Sequence, residues 1–387
     1  MAVERINELT TRWAARVLNG ASTVFSGAAV WPLLAYLAAA ADGAARRELA
    51  EAVGLDGDEA ATTARAFLRE LAQSPAVRSA VGVWTREPVE LTPWWRATVP
   101  TDMQARLGAT PSASQALVDE WVRERTCGSI HALPVSVTGE TLALLAAALS
   151  LKTTWQVPFE TTMLMSRGGA WAGRDLDGLK RSTRDRDEVR VLDTDAGAVT
   201  VLSVEAQEGI VVELVLGEDG RPADAVLGAA LTARACRATP GSKLRMDDGA
   251  PGVIVGVHDF EPGPRLDVAL PRFSVATGHD LLAHSDLFGL EAATDRATGH
   301  FPRMSTFPLA VHDARQVVRA SFGELGFEAA AVTAVEFLVA GIPPRQPDIV
   351  LVHFDRPFGF VARLRPSNLV LFAGWVADVA DYHGNRW

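Results

Sequence analysis

The first half of the chain is marked by apolar residues at helical spacing. Between residues 6 and 18, Leu9, Trp13 and Val17 recur four residues apart, and this spacing predicts an amphipathic helix. The almost unbroken apolar stretch TVFSGAAVWPLLAYLAAAADG predicts a buried helix that ends near Gly43, and ARRELAEAV predicts the helix that follows. We therefore expect several packed helices before the middle of the chain.

Three further segments of this half are predicted from the same criteria. SASQALVDEWVRERT predicts a helix that stops at Gly128, and residues 102–107 are predicted to be helical as well. ETLALLAAALSLKTTWQVPF begins like a helix but leads into Trp and Phe, so it fits a buried strand equally well.

Beyond Trp171 the pattern changes to that of strands. AVTVLSVEA and GIVVELVLG flank a short polar turn, and this arrangement predicts a hairpin. LDVALPRFSVATG and DIVLVHFDRPFGFVARLRPSNLVLFAGWVADV continue in the same way. Helices mostly in the first half and antiparallel strands mostly in the second predict an α+β fold.

Composition and charge exclude several classes of protein. The 387 residues contain no Gly/Ser tract or low-complexity block, which favours one large domain or two intimately packed ones. A net charge of −10 argues against a nucleic-acid partner, because binding phosphates needs a basic surface. No apolar run reaches membrane-spanning length without a charge. Charged residues, including Glu4 and Glu8, interrupt the stretch where a signal peptide needs an apolar core, so we expect a cytoplasmic protein unless an upstream segment was removed.

Candidate catalytic and metal-binding residues are sparse. The sequence has no nucleophile elbow, zinc-protease motif, phosphate-binding loop or dinucleotide-binding loop. His279 and His284 come nearest to metal-ligand spacing, but no third ligand accompanies them, and we interpret them as helix-surface residues. Cys127 and Cys236 are interpreted as buried free thiols. We therefore expect no metal, no cofactor and no enzymatic activity.

One segment, ELGFEAAAVTAVEFLVAGIPPRQP at 324–347, fits two different structures. At the two-residue period of a strand, one face is small or apolar and the other carries both glutamates of its middle part. The first face consists of Phe327, Ala329, Ala331, Thr333, Val335 and Phe337, and the second includes Glu328 and Glu336. Because Phe327, Ala331 and Leu338 also share one face of a helix, periodicity alone leaves helix and strand open.

Five segments resemble motifs of the serpin family of serine protease inhibitors, in the order of the family. FSGAAVWPLLAYLAAAADG resembles its F-S-P-x-S helix, VDEWVRERTCGSI its W-V-x-x-x-T-x-G-x-I helix end, and SLKTTWQVPF its F-K-x-x-W-x-x-x-F segment. ALPRFSVATGHDLLAHSDLFGL resembles the L-P-[KR]-F pattern, and HFDRPFGFVARLRPSNLVLFAGWV resembles the C-terminal signature. The matches run from Phe25 to Val376, and the resemblance is to a bacterial-type serpin without a signal peptide.

The resemblance implies a single domain over residues 1–387 with three β-sheets, eight or nine helices and an exposed reactive-centre loop at about 324–347. It implies a monomeric suicide inhibitor: a serine protease cleaves the loop and forms a covalent acyl-enzyme, and residues 327–339 insert as a new strand in the main sheet. Residues 380–387 form a short tail beyond the usual end of the family, which pins a sheet or is disordered. The implied hinge comprises Glu324, Gly326, Phe327, Glu328, Ala329, Ala330, Ala331, Val332 and Thr333.

The usual hinge length of the family places the cleaved bond between Ala340 and Gly341. A small residue before the cleaved bond fits the shallow pocket of elastase- or subtilisin-like proteases. The alternative is the bond between Arg345 and Gln346, which suits trypsin-like proteases but lies further from the hinge than is usual.

Several residues of the implied sheet-opening region depart from the family pattern. Ser26 and Trp155 keep the family types, whereas Gln316 and Ala147 replace the usual His and Asn. The polar contacts beneath the sheet therefore have to be rebuilt or replaced by apolar ones. Phe327 replaces the usual Thr or Ser, and its bulk is expected to slow insertion. These departures keep a second interpretation open, a non-inhibitory serpin-fold protein that acts by binding or as a scaffold.

Overall fold

The computed structural model of the chain describes residues 2–382, apart from 127, 129, 134, 136, 167, 233–236, 247, 257–262 and 328–348. This part has eight α-helices and nineteen β-strands. The helices are α1 (Ala2–Val17), α2 (Gly27–Ala40), α3 (Gly43–Val53), α4 (Gly57–Leu71), α5 (Pro93–Thr98), α6 (Pro111–Arg125), α7 (Ala223–Leu231) and α8 (Ser285–Phe288). The strands are β1 (Thr23–Phe25), β2 (Val77–Thr85), β3 (Gln104–Arg106), β4 (Ala143–Leu151), β5 (Thr153–Thr154), β6 (Glu160–Met165), β7 (Asp175–Thr183), β8 (Val189–Thr194), β9 (Gly197–Glu205), β10 (Ile210–Gly217), β11 (Arg237–Pro240), β12 (Val253–Gly256), β13 (Arg265–Pro271), β14 (Phe273–Asp280), β15 (Arg315–Phe322), β16 (Gly326–Phe327), β17 (Ile349–His353), β18 (Phe358–Leu364) and β19 (Leu369–Val376). None of these helices is both long enough and apolar enough to span a membrane.

Within the described residues, the strands form four hydrogen-bonded groups. A seven-stranded sheet has the order β1-β19-β18-β10-β9-β8-β11, and a five-stranded sheet has the order β12-β17-β13-β7-β6. Two smaller groups, β14-β15-β16-β5 and β3-β2-β4, are halves of one main sheet, because Lys152 alone separates β4 from β5. Three sheets and eight helices confirm the fold class that the serpin resemblance implies.

The buried helix α2 is built from the sequence features that predicted it. Every residue of α2 except Leu33 is buried, as expected for a helix that is apolar on all sides. The Ser26 hydroxyl caps its start by accepting the backbone N–H of Ala29 at 3.1 Å. A Cβ atom on Gly27 would lie 2.2 Å from the side-chain oxygen of Thr10, so α1 and α2 can approach this closely only at a glycine.

The structure tests two predictions made for the first half of the chain. The segment that fitted helix or strand forms β4, which pairs with β2 at nine successive positions, from Ala143 opposite Thr85 to Leu151 opposite Val77. The helix predicted over 102–107 is wrong: a 3-10 turn is followed there by β3, which pairs with the end of β2. Tertiary pairing has overridden helix propensity at both places.

The predicted hairpin of the second half is confirmed as β9 and β10, which pair from Glu205 opposite Val211 to Val199 opposite Gly217. All eight residues of β10 are buried, because this sheet is covered on both faces. On one face it meets the main sheet, where the ring of Phe273 on β14 lies 5.2 Å from that of Phe360 on β18. This aromatic layer forms the floor beneath the region described next.

The C-terminal tail contacts the five-stranded sheet as far as Tyr382. The backbone N–H of Tyr382 donates to the carbonyl of Asp175 at 2.8 Å, which adds the tail to the start of β7. Arg174 forms ion pairs with Asp378 at 2.8 Å and with Asp381 at 2.9 Å. Residues 383–387 lie outside the described part of the chain.

Candidate functional site

The two halves of the main sheet meet along β4 and β15, and within the described residues no ladder of hydrogen bonds joins these two strands. The two halves are connected through β16, in which Phe327 pairs with Phe322 of β15 on one side and with Thr153 of β5 on the other. Both pairings are antiparallel. A strand that continued β16 would therefore lie between β15 and β4 and bond to both. We term this position the gap.

Gly326 is required at the start of the gap by close backbone contact. A Cβ atom on it would lie 2.0 Å from the carbonyl oxygen of Thr153 and 2.8 Å from the Cα of Thr154. Both obstacles are backbone atoms of β5, which cannot rotate away as a side chain can. The hinge position predicted from the sequence is thus one that no other residue could occupy without moving β5.

The side chain of Phe327 lies in the core. It is 1% exposed, and its ring centroid lies 6.3 Å from that of Phe360 in the sheet behind. The bulk that was expected to hinder insertion is therefore already accommodated. Because side chains alternate along a strand, this orientation also fixes which later residues would face the core, namely those at odd-numbered positions.

The turn between β15 and β16 is held from β5 and the segment that follows it. The indole Nε1 of Trp155 donates to the carbonyl of Gly323 at 2.8 Å, and the backbone N–H of Trp155 donates to Leu325 at 2.9 Å. The Trp155 ring lies against Phe322, with 4.5 Å between centroids. The backbone N–H of Phe159 donates to the carbonyl of Glu324 at 2.8 Å. Trp155 thus fixes the turn by both polar and apolar contacts.

Glu324 carries the charge of this turn, and Arg272 neutralises it. The guanidinium Nη1 of Arg272 lies 2.7 Å from the Glu324 carboxylate, and its Nε lies 3.2 Å from that of Asp177 on β7. Each of the three side chains is about one-third exposed, so the pairs are screened and contribute modestly to stability. The contact links the turn before the gap to the five-stranded sheet.

At the other end of β15, Gln316 makes a paired hydrogen bond to the backbone of Ser26. The Ser26 N–H donates to the Gln316 Oε1 at 3.0 Å, and the Gln316 Nε2 donates to the Ser26 carbonyl at 2.9 Å. The Ser26 hydroxyl in turn donates to the carbonyl of Leu371 at 2.6 Å. Ser26 and Gln316 are 0% and 3% exposed. This cluster, termed the lock, ties β15 to the joint between β1 and α2.

Comparison with protein families now identifies the architecture. The family model described as "Serpin (serine protease inhibitor)" matches residues 5–167 and 259–379 of the chain. The chain belongs to the serpin family. Its serpin relatives include putative serpin-Z8 of Oryza sativa subsp. japonica, 25% identical over 397 residues that cover 93% of this chain and 91% of the relative. Serpin-Z2B of the same organism is 27% identical over 397 residues, covering 92% and 91% of the two chains.

Solved serpin structures share the fold of this serpin. Thyroxine-binding globulin in complex with thyroxine superimposes with a TM-score of 0.72 at 16% identity, over 98% of this chain and 99% of that one. The relatives named above come from rice, and they give no support to the expectation of a bacterial-type serpin.

The structure brings together part of the predicted serpin site. Glu324, Gly326 and Phe327 form the start of the gap beside Trp155, and Ser26 and Gln316 form the lock. The contacts beneath the sheet at this position are therefore polar, because Gln316 makes a paired hydrogen bond to the backbone of Ser26.

The other predicted site residues divide into two sets. Ala147 is half-buried on β4 opposite Val81, where its methyl group adds no polar contact to the lock. The predictions on Glu328, Ala329, Ala330, Ala331, Val332, Thr333, Ala340, Gly341, Arg345 and Gln346 fall outside the described residues, as do those on Cys127 and Cys236.

His279 is a site residue of this serpin that sequence reasoning misplaced. It was interpreted as a helix-surface residue, but it lies on β14 directly opposite Gln316. Its Nε2 donates to the carbonyl of Val24 at 2.8 Å, and its ring lies 5.2 Å from that of Trp13. Burial lowers the pKa of His279 below its ordinary value, although the bond to Val24 opposes the shift. The alternation of apolar and polar residues at the start of FSVATGHD was the sequence signal that could have predicted this strand.

No metal centre accompanies these residues. Within the described residues, no group of three or more His, Cys, Asp or Glu side chains is placed to hold a metal ion.

Proposed function

We propose that this serpin is a monomeric, irreversible suicide inhibitor of serine proteases. The observation that carries the proposal is the placement of Gly326 and Phe327, which are paired on both sides at the start of the gap. The chain enters the main sheet in the direction that an inserted strand needs. The protein itself would perform no catalysis, since the bond-breaking step uses the active site of the protease.

The proposed reaction has one covalent step. The serine oxygen of the protease bonds to the carbonyl carbon of Ala340, the bond to Gly341 breaks, and the Gly341 nitrogen leaves as an amine after taking a proton. The protease stays attached through an ester. Residues 328–339 are then free of their downstream connection and extend β16 into the gap. If water hydrolyses the ester before insertion distorts the protease, the protease is released. If insertion is faster, the protease stays trapped and inhibition results.

The gap offers a template for the new strand. Phe327 lies opposite Thr153, so antiparallel continuation at the same register would place residue 337 opposite Ala143, the first residue of β4. Val335 and Phe337 would share the core-facing side with Phe327, and burial of each would contribute about 1.5–3 kcal/mol. Insertion is favoured because it gains backbone hydrogen bonds to two neighbours as well as this burial.

The proposed target is an elastase- or subtilisin-like protease. Ala340 presents a methyl group, which fits a shallow primary pocket and offers no cation to a pocket of the trypsin type. Cleavage after Arg345 would instead assign the protein to trypsin-like targets.

The test is to mix the protein with elastase-, subtilisin- and trypsin-like proteases and look for a complex that survives denaturation. N-terminal sequencing of the released fragment identifies the cleaved bond, and we expect the fragment to begin at Gly341. A fragment that begins at Gln346 would refute the assignment of Ala340 and retain the mechanism. Cleavage by all three proteases without any stable complex would refute inhibition and favour the non-inhibitory interpretation.

Two arginine substitutions at adjacent positions provide a matched control. Ala331→Arg would place a charge on the core-facing side of the inserted strand, whereas Ala330→Arg would place the same charge on the outward side. An unpaired buried charge is strongly unfavourable, so Ala331→Arg should convert the inhibitor into a substrate. Ala330→Arg should still form the complex. Equal effects of the two substitutions would contradict the proposed register.

A further inference from the structure

One segment covers the edges of two different sheets. β11 pairs with β8 at the edge of the seven-stranded sheet, and β12 pairs with β17 at the edge of the five-stranded sheet. We term β11 and β12 together the strap. Both strands lie in residues 168–258, which the serpin family model leaves unmatched.

β12 gives β17 a second neighbour. On one side β17 pairs with β13 in parallel, and on the other it pairs with β12 in antiparallel from Val253 opposite Val352 to Gly256 opposite Ile349. The ladder continues at Gly252, whose carbonyl accepts the N–H of His353 at 2.8 Å. A Cβ atom on Gly252 would lie 2.4 Å from the His353 carbonyl oxygen, so the strap lies tightly against β17.

β17 is the anchor for the downstream end of the reactive loop, because it begins at Ile349. Suppose that the loop entered the gap without being cleaved. The twelve steps from Phe327 to residue 339 would cover about 40 Å, whereas the ten steps from residue 339 to Ile349 span at most about 36 Å when fully extended. Residues 340–348 could not return along the inserted strand to β17. Full insertion of an intact loop therefore requires β17 to leave its sheet.

We propose that the strap holds β17 in its sheet and thereby keeps the intact loop out of the gap. Departure of β17 has to break the β12 ladder as well as the β13 ladder. The strap thus restricts insertion to cleaved molecules, which are the ones that carry a protease. This inference rests on the proposed function, since it concerns the same insertion.

A reversible cross-link tests the strap. Ile254 and Leu351 are directly opposite each other, and Ile254 is 63% exposed, so the pair Ile254→Cys and Leu351→Cys can form a disulfide between β12 and β17. Glu160 and Lys180 are opposite each other at the far edge of the same sheet, and both are exposed. Glu160→Cys with Lys180→Cys is therefore the control pair. Both pairs are made with Cys127→Ser and Cys236→Ser and oxidised with glutathione disulfide.

The measurement is the loss of inhibitory activity, without protease, during incubation just below the unfolding temperature. Conversion to the inserted form is followed in parallel on urea-gradient gels, where that form resists unfolding. The oxidised strap pair should convert roughly tenfold more slowly than its reduced form, and the control pair should show no such difference. Ile254→Pro, which weakens the edge ladder, should convert faster than Ile254→Ala.

Equal conversion rates of the oxidised and reduced strap pair would overturn the inference, and so would an absence of conversion in every variant, Ile254→Pro included. These outcomes are separate from failure of the proposed function. That failure would appear as no stable protease complex at the start of the incubation, whatever the state of the cross-link.

Discussion

Replacing Gln316 by methionine would measure how much the lock contributes to stability. Methionine has nearly the length and volume of glutamine, so the substitution removes the amide group without opening a large cavity. The Ser26 N–H and carbonyl both lose their partner. Since Ser26 is fully buried, water cannot replace that partner without a change in packing.

The expected loss follows from these two groups. A buried backbone donor or acceptor left without a partner costs about 1–3 kcal/mol. Two such groups give about 2–6 kcal/mol, and a small shift of α2 that recovers part of one bond would reduce the loss to about 2–4 kcal/mol. The apolar methionine side chain gains favourable burial, which keeps the expected value at the lower end of that range.

Urea unfolding followed by tryptophan fluorescence gives the free energy of unfolding of the parent and Gln316→Met. Ser321→Ala is the matched control, because Ser321 lies on the same strand and its hydroxyl bonds to that of Ser274 at the surface. The control should change stability by no more than about 0.5 kcal/mol. If Gln316→Met lost no more than the control, the paired amide would contribute no net stability, and its assignment as a lock would be wrong.

Three further predictions concern the hinge, the buried histidine and the tail. Gly326→Ala should unpair β16 from β5 and lower the rate of complex formation with the target protease, and stopped-flow measurement of that rate at unchanged cleavage would check it. The pKa of His279 is lowered in the folded protein, so its contribution to the free energy of unfolding is fully present above the ordinary pKa of about 6.5 and is lost as the pH falls below that value. His279→Gln keeps a donor for the Val24 carbonyl and should remove this part of the pH dependence of the urea midpoint. Arg174→Ala should release the tail to carboxypeptidase digestion and lower the free energy of unfolding by no more than about 1 kcal/mol, since its ion pairs are solvent-exposed; a tail that stayed protected would show that backbone bonds hold it.

Much of the fold could be predicted because its strongest local signals agree with the tertiary structure. The apolar run of α2 is too long and too uniform for anything but a buried helix, and the hairpin of β9 and β10 has its turn in the sequence. β4 was ambiguous for a physical reason. Its alanines and leucines favour a helix, and β2, which is far away in the sequence, supplies the pairing that makes it a strand.

The site was predictable where one residue type determines the geometry. The serpin resemblance identified Gly326 and Trp155, and the structure gives the reason: close backbone approach and a large anchored ring each demand a specific side chain. The partner of Gln316 could not be predicted. Gln316 bonds to the backbone of Ser26, and any residue at position 26 would provide the same backbone groups. The strap was not predicted because β11 and β12 are only four residues long and their composition does not indicate which strands they pair with. Long-range partners of this kind become apparent only in the folded structure.

The short strand β16 has a kinetic consequence. Forming a new strand usually begins with an improbable search, in which the first residues must find their register before any later bond can help. In this molecule Phe327 has a fixed partner on each side, so the nucleus exists before cleavage. In the proposed mechanism, insertion would then only have to propagate from this nucleus, and the formation of a β-hairpin takes about 1–10 μs. The outcome of a proposed encounter becomes a race between that propagation and hydrolysis of an ester, and the structure gives the propagation a start.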